Sequence, residues 1–291
     1  MYFKLAMRRL VQSCPKVQRR SMVGVGKKIN LNADLGEGFG PWRMTADTEL
    51  MQIVTTANVA CGAHAGDADT MASVLECAHA HGVSVGAHPG YDDKPGFGRR
   101  VIPMTLTEIE NLIAFQTGAL LGMAGVVRKR NSGKGVEVTH VKPHGALNNV
   151  ACVKPDVAEA IVRGVVGVCK DLIMLAPAGS ALLQAAEKGG LRVASEVFAD
   201  RAYTADGNLA PRSMKGAVIH DPVAARDHAL RLAHGLPIKA CDTGEEVTLR
   251  ADSICVHGDK PSAVEQAQMV RDALVAEGFT LCTLPDVLSA S

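Results

Sequence analysis

Side chains able to titrate or to hold a ligand gather in clusters, each following a short apolar run. Asn32, Asp34 and Glu37 follow "INL"; Asn58, His64 and Asp67 belong to "ANVACGAHAGD"; His88 ends "VSVGAH"; His140, Lys142 and His144 lie in "HVKPHGALNN". Later come Glu196, Asp200 and Arg201 in "SEVFADRAY", then His257 and Asp259 in "CVHGD". Imidazoles and carboxylates are the groups of general acid–base catalysis, and a lysine among them can neutralise a carboxylate, a phosphate or a developing oxyanion. The same residue types bind divalent ions, but no H-E-x-x-H is present. Acid–base and oxyanion roles therefore rank above a structural metal, with a loosely held ion left open.

Each residue also has a plainer role open to it. Asp67 precedes a strongly helical segment and suits an N-cap. His140 shares a strand face with Lys142 by alternation and suits a buried, hydrogen-bonded imidazole. Asp34 and Glu37 stand among Gly36, Gly38 and Gly40, where a solvated turn would explain them. His79, His81, His220, His228 and His234 read as surface or helix-end residues.

What must position these clusters is an alternation of strand and helix. The strand candidates are "KINLNA", "ANVACGA", "VSVGAH", "VEVTHVK", "LIMLAPA", "RVASEVFA" and "SICVHG", with "FTLCTL" as a possible eighth. Between them Met71, Val74, Leu75 and Ala78 repeat with helical period before Gly82. Thr105 with Glu108, and Ser262 with Glu265, have capping-box spacing, and Gly189-Gly190 and Gly278 follow helix ends. "RKRNSGKGVEV" reads as a surface loop. Repeated strand–helix units predict a parallel sheet, and seven or eight of them suit a closed (β/α) barrel. In such a barrel every strand's carboxyl end opens on one mouth, so residues far apart in sequence meet there. An open doubly wound sheet fits less well, because no G-x-G-x-x-G follows the first strand and no P-loop occurs anywhere.

Composition narrows the function classes. The 291 residues, 47% of them hydrophobic, can bury a large core, built from Val, Leu, Ala and Met since aromatics are only 3%. No uninterrupted apolar run approaches the roughly 18–20 residues of a membrane span. Residues 1–28 hold eight of the 31 Lys and Arg and no acid, so the rest carries 23 basic against 30 acidic residues, a net −7. That body is poorly suited to nucleic acid and fits a small-molecule protein. The basic leader has the build of a mitochondrial transit peptide or of a disordered tail. A mitochondrial location follows from the first reading and a cytoplasmic one from the second. The eight cysteines are scattered without a C-x-x-C, as in a reducing compartment, which argues against thiolate-bound zinc.

Taken in order, "INLNADLGEGFG", "ANVACGAHAGDADTM", "GVSVGAHPGYDDKPGFGRR", "HVKPHGALNN", "EVFADRAYTADGNLAPRSMKGAVI" and "ICVHGD" resemble the LamB/YcsF family from about Lys28 to near residue 280. The resemblance implies a single domain over residues 29–291, a deformed seven-stranded (β/α) barrel related to glycoside hydrolase and polysaccharide deacetylase barrels. It also implies the activity of the family's characterised bacterial members, which form the A component of ATP-dependent 5-oxoprolinase. Those proteins open the lactam of 5-oxo-L-proline to L-glutamate with separate B and C subunits, and ATP with Mg is handled with those partners. On this basis Asp34, His64, Asp67, His88, Lys142, His144 and Glu196 are the expected catalytic residues. Asn32, Glu37, Asn58, Arg201, His257 and Asp259 are the expected substrate contacts, and no metal ligand is assigned. Asn148 stands where the family often has a tyrosine, and "GFGPW" lengthens the turn after the first strand. Two rival classes are a metal-dependent deacetylase or amidohydrolase acting alone, and a non-catalytic substrate-binding subunit.

Overall fold

The computed structural model describes residues 26–42, 46–256 and 263–289. Most of the basic leader, Ser262 of one capping box, and His257 and Asp259 lie outside the described residues. Along the chain run β1 (Lys28–Leu35), α1 (Asp47–Met51), β2 (Thr56–Ala60), α2 (Ala68–His81) and β3 (Ser84–His88). Then come α3 (Leu106–Arg130), β4 (Val138–Val141), α4 (Gly145–Val153), α5 (Pro155–Val168), β5 (Ile173–Pro177), α6 (Ala181–Lys188) and β6 (Arg192–Phe198). The remainder holds α7 (Pro222–Ala233), β7 (Ile238–Lys239), β8 (Glu246–Val247), β9 (Ser253–Val256), α8 (Ala263–Ala276), β10 (Thr280–Leu281) and α9 (Leu284–Leu288).

Seven parallel strands close on themselves in the order β1-β2-β3-β4-β5-β6-β9, with β9 pairing back to β1 through Asn30↔Ser253 and Ala33↔Val256. The possible eighth strand is not part of the ring. β10 adds to the outer start of β1 through Lys28↔Thr280 and Ile29↔Leu281, and β7 and β8 form a separate antiparallel ribbon. Helix signals act as their chemistry requires. Asp67 accepts from Thr70 N–H at the start of α2, Gly82 ends that helix in the left-handed conformation, and Thr105 and Glu108 complete a capping box on α3. α3 extends to Arg130, so the first three residues of "RKRNSGKG" are its basic last turn rather than loop. α3 is long and apolar enough by composition to cross a membrane. Instead Ile109, Ile113, Leu120, Ala124 and Val127 make one buried stripe on it, and the helix packs on α5.

Alternation in the strands divides the core in two. On β1, Ile29, Leu31, Ala33 and Leu35 are fully buried in the apolar layer between barrel and helices, where each large side chain contributes roughly 1.5–3 kcal/mol. Asn30, Asn32 and Asp34 take the opposite face and enter the lumen. The lumen is accordingly a polar relay. His140 Nε2 donates to Asn58 Oδ1 (2.9 Å), Asn58 Nδ2 to Asn32 Oδ1 (2.8 Å), Asn32 Nδ2 to Ser253 Oγ (2.7 Å), and Ser253 Oγ to Asn30 Oδ1 (2.6 Å). Asn30 Nδ2 ends the chain on Thr56 Oγ1 and the Cys282 carbonyl. Such amides can lie dry inside a protein because each buried donor and acceptor is met. Gly86 makes room for the relay, since a Cβ there would stand 2.2 Å from the His140 ring. At the amino end Leu284 of α9 packs on Ile173, Leu175 and Ala194 and closes the lumen.

Candidate active site

The carboxyl ends of β1, β3, β4 and β6 open into one cavity of about 510 Å³, a size suited to a small ligand. Asp34, Glu37, His88, Lys142 and His144 line it with Phe97, Arg99, Asn148, Arg201 and Arg212. At its floor Lys142 Nζ lies 2.8 Å from Asp34 Oδ1 and 2.8 Å from Glu196 Oε1, with Asn32 Oδ1 at 3.2 Å and Cys255 Sγ at 3.3 Å. The contact with Asp34 is a hydrogen-bonded ion pair. That with Glu196 is an ion pair by distance whose carboxylate oxygens lack an aligned donor.

One ammonium between two carboxylates does not serve both equally. Burial alone would raise the Asp34 carboxyl, but His88 and Lys142 outweigh it and hold it well below the usual range. Burial raises Glu196, Lys142 opposes, and the net is upward. Burial would lower the Lys142 ammonium, yet Asp34, Cys255 and Glu196 hold it well above its ordinary value. The resident charges are thus Lys142 cation and Asp34 anion. Glu196, fully buried beneath them, is the carboxyl that most readily takes a proton.

Beside this pair the rings of His64 and His144 stack with centroids 3.7 Å apart and planes 3° apart, and His88 meets both edge-on. His88 Nδ1 faces the Lys142 carbonyl at 2.7 Å and His144 Nε2 faces the Phe97 carbonyl at 2.8 Å. His88 Nε2 then lies 2.9 Å from His144 Nδ1 and 3.3 Å from Asp34 Oδ2, while Glu37 Oε1 is 3.3 Å from His64 Nε2. Burial, with His88 adding, pushes His144 down to about 3, and burial likewise drives His64 well below its usual value. Glu37, His64, His88 and His144 bring one ligand atom each within 4.8 Å of one another and could hold a metal ion.

Backbone geometry fixes this arrangement. Phe97 adopts φ +53°, a left-handed conformation that costs a non-glycine residue roughly 1 kcal/mol or more, and so presents its carbonyl to His144. Gly98 follows at φ +62°, where a Cβ would lie 2.7 Å from His64 Cβ and 2.8 Å from His144 Cδ2. Only glycine lets this turn close over the stacked rings.

Other expected site residues lie around the centre rather than in it. Asp67 caps α2 and accepts from Gly40 N–H (2.8 Å), tying down the loop after β1, and it does not line the cavity. Asn58 orients Asp34 from below, its Nδ2 donating to Asp34 Oδ1 at 2.9 Å, while Asn32 Oδ1 accepts from Asn58 and Lys142. Arg201 lines the cavity but donates to the Ala210 and Ala217 carbonyls, holding the wall formed by residues 209–212. Trp42 is 61% exposed and pairs with Phe39 in a small bridge, and neither lines the cavity. Phe97, Arg99, Phe198 and Arg212 line the cavity without having been expected there. Arg99 stands in the quoted "GFGRR", and a basic pair after glycines was the available signal.

A closed parallel α/β barrel with titratable groups at its carboxyl-end mouth is the architecture of a small-molecule enzyme. The chain belongs to the LamB/YcsF family, which it matches over residues 29–289. It is 48% identical over 255 residues to a Rhodopseudomonas palustris protein named as the A component of 5-oxoprolinase, covering 87% of this chain and 97% of that one. It is 47% identical over 260 residues to a protein of the same name from Azoarcus, covering 89% and 98%. Among solved structures it resembles the lactam utilization protein of Thermus thermophilus, with TM-score 0.80 and 40% identity over 88% of this chain and 99% of that one.

Proposed function

We propose that this chain is the A component of an ATP-dependent 5-oxoprolinase, working with separate B and C subunits, and that the lactam of 5-oxo-L-proline is opened at the barrel mouth. The observation that carries this reading is near-half identity, along almost their full length, to proteins named as that component of 5-oxoprolinase.

A lactam is a poor electrophile because amide resonance must be broken. Transfer of the γ-phosphoryl group of ATP to the lactam oxygen weakens that resonance. Water then adds to the ring carbon, the C–N bond breaks as nitrogen takes a proton, and a second water hydrolyses the resulting acyl phosphate. Asp34 is ionised and reaches the cavity, and its position rather than its basicity, which His88 and Lys142 lower, suits it to orient and deprotonate the water. Lys142 faces the developing oxygen charge and Glu196 positions it from beneath. Arg99 and Arg212 line the mouth and give it a positive charge for the substrate carboxylate or a phosphate. ATP chemistry is shared with the partners, in keeping with a chain that carries no P-loop.

The test is glutamate formation from 5-oxoproline and ATP by this chain mixed with B and C subunits, and by each component alone. Glutamate only from the full mixture supports the reading, and its absence sinks it. The Glu37–His64–His88–His144 group favours a second reading, a metal-dependent amidohydrolase acting alone. ATP-independent amide hydrolysis by the isolated chain would establish that one.

A further inference from the structure

Two imidazoles at the mouth aim lone pairs at one another. A carbonyl oxygen only accepts, so the Lys142 carbonyl assigns the His88 proton to Nδ1, and the Phe97 carbonyl assigns the His144 proton to Nε2. With both rings neutral, His88 Nε2 and His144 Nδ1 are lone pairs 2.9 Å apart, and either a proton on His88 Nε2, shared with Asp34 Oδ2 at 3.3 Å, or a metal ion between the rings relieves them. Glu37 Oε1 approaches the same point, 3.9 Å from His88 Nε2, 3.5 Å from His144 Nδ1 and 3.3 Å from His64 Nε2. Facing lone pairs inside a protein repel unless a positive charge lies between them, and a carboxylate oxygen beside them favours that charge.

The spacing fits a particular kind of cation. Ligands about 2.0–2.1 Å from a tetrahedral zinc ion lie about 3.3 Å from each other; the His88–His144 and Glu37 separations of 2.9, 3.3, 3.5 and 3.9 Å bracket that value, and all four ligand atoms lie within 4.8 Å of one another. Histidine ligands characteristically donate their second N–H to a backbone carbonyl or carboxylate, as His88 and His144 do. His64 is held instead by its parallel stack on His144. All four residues are buried, yet His88, His144 and Glu37 also line the cavity, so an ion there would be reachable by a ligand. Three imidazoles with one carboxylate suit zinc and its first-row neighbours rather than magnesium or calcium.

We propose that Glu37, His64, His88 and His144 form a binding site for a divalent first-row transition-metal ion of the zinc class. Such an ion would stand beside Asp34 as a Lewis acid at the mouth. The proposal does not depend on the lactam reading, and its test uses no catalysis.

The full chain would be stripped with a chelator, loaded with zinc or with magnesium in parallel, passed through gel filtration and assayed for bound metal and Tm. The expected result is about one zinc per chain with a raised Tm, and no retained magnesium. His88→Ala and Glu37→Gln should each weaken zinc binding by more than about tenfold. If His88→Ala does not fold, Glu37→Gln and the visible spectrum of the cobalt-loaded wild type decide, intense tetrahedral bands supporting the site and weak octahedral ones opposing it. Substoichiometric zinc in the wild type, or equal zinc in wild type and folded variants, would overturn the proposal. Equal binding would place the metal elsewhere, for instance at the Cys77–His81 pair on the surface of α2.

Discussion

Lys142 Nζ stands 2.8 Å from Asp34 Oδ1, joining the carboxyl ends of two strands whose contributing residues are 108 positions apart in sequence. The pair leaves Asp34 as an anion at the cavity and Lys142 as a cation below it, with Glu196 as the more protonatable third member. Most of the site's electrostatics follow from that arrangement.

Removing the shared cation should be costly. Lys142→Met leaves two buried carboxylates facing each other and should lower unfolding stability by about 3–5 kcal/mol, as expected when one partner of a buried pair is deleted. Adding Glu196→Gln to it should recover part of that loss, because one of the two acids is then uncharged. Urea unfolding of the single and double variants at neutral pH measures both effects, and equal stability of the two would contradict the coupling.

His140 gives the fold a pH dependence of definite sign. Burial, with Lys142 adding, pushes its pKa down to about 3 from an ordinary 6.5. Above about pH 6.5 the ring is neutral in both folded and unfolded chains, and its contribution is fully present. As pH falls from there toward 3 only the unfolded chain takes the proton, so stability is lost, with one group giving at most about 1.4 kcal/mol per pH unit. The acid-side slope of unfolding free energy against pH should therefore be shallower in His140→Gln than in wild type. An unchanged slope would mean that His140 titrates normally.

Gly98→Ala tests the close approach over the stacked imidazoles. The added methyl meets the His64 and His144 side chains at a positive φ, and should cost about 1–3 kcal/mol. The displaced rings should also reduce turnover. Thermal unfolding with steady-state rates checks both, and a fully active, equally stable variant would mean that the turn adapts.

Arg212 lies at the rim, so its contribution should be to binding before the chemical step. Arg212→Ala should raise KM for 5-oxoproline or ATP by roughly tenfold with kcat little changed, the signature of uniform binding. A fall in kcat with KM unchanged would instead place Arg212 at the reacting atoms.

Much of this was legible in the sequence, and the limits have physical causes. Seven apolar runs and a possible eighth, six of them followed by polar clusters, pointed to a barrel of seven or eight strands with a shared mouth, because parallel strands aim their carboxyl ends together. Asp34, His88, Lys142 and His144 converge as that topology demands. The polar lumen was not foreseen. "INLNA" reads as an apolar strand, and only ring closure shows that Asn30 and Asn32 face inward while Ile29 and Leu31 meet the helices. Asp67 at a helix start carried two readings, and its bonds to Thr70 and Gly40 show the cap. The His64–His144 stack joins residues 80 positions apart through a turn at Phe97 and Gly98, and no local pattern encodes such a contact. Arg212 lies in a long excursion after β6, where periodicity is absent.

In the proposed function Asp34, held by Lys142, acts in opening the lactam. The most direct test of this role is the rate of ATP-dependent glutamate formation from 5-oxoproline by Asp34→Asn chain assembled with B and C subunits, after circular dichroism and assembly are matched to wild type. A fall in kcat of about 10² to 10⁴ is expected for loss of a positioned base. Turnover at the wild-type rate would contradict the account.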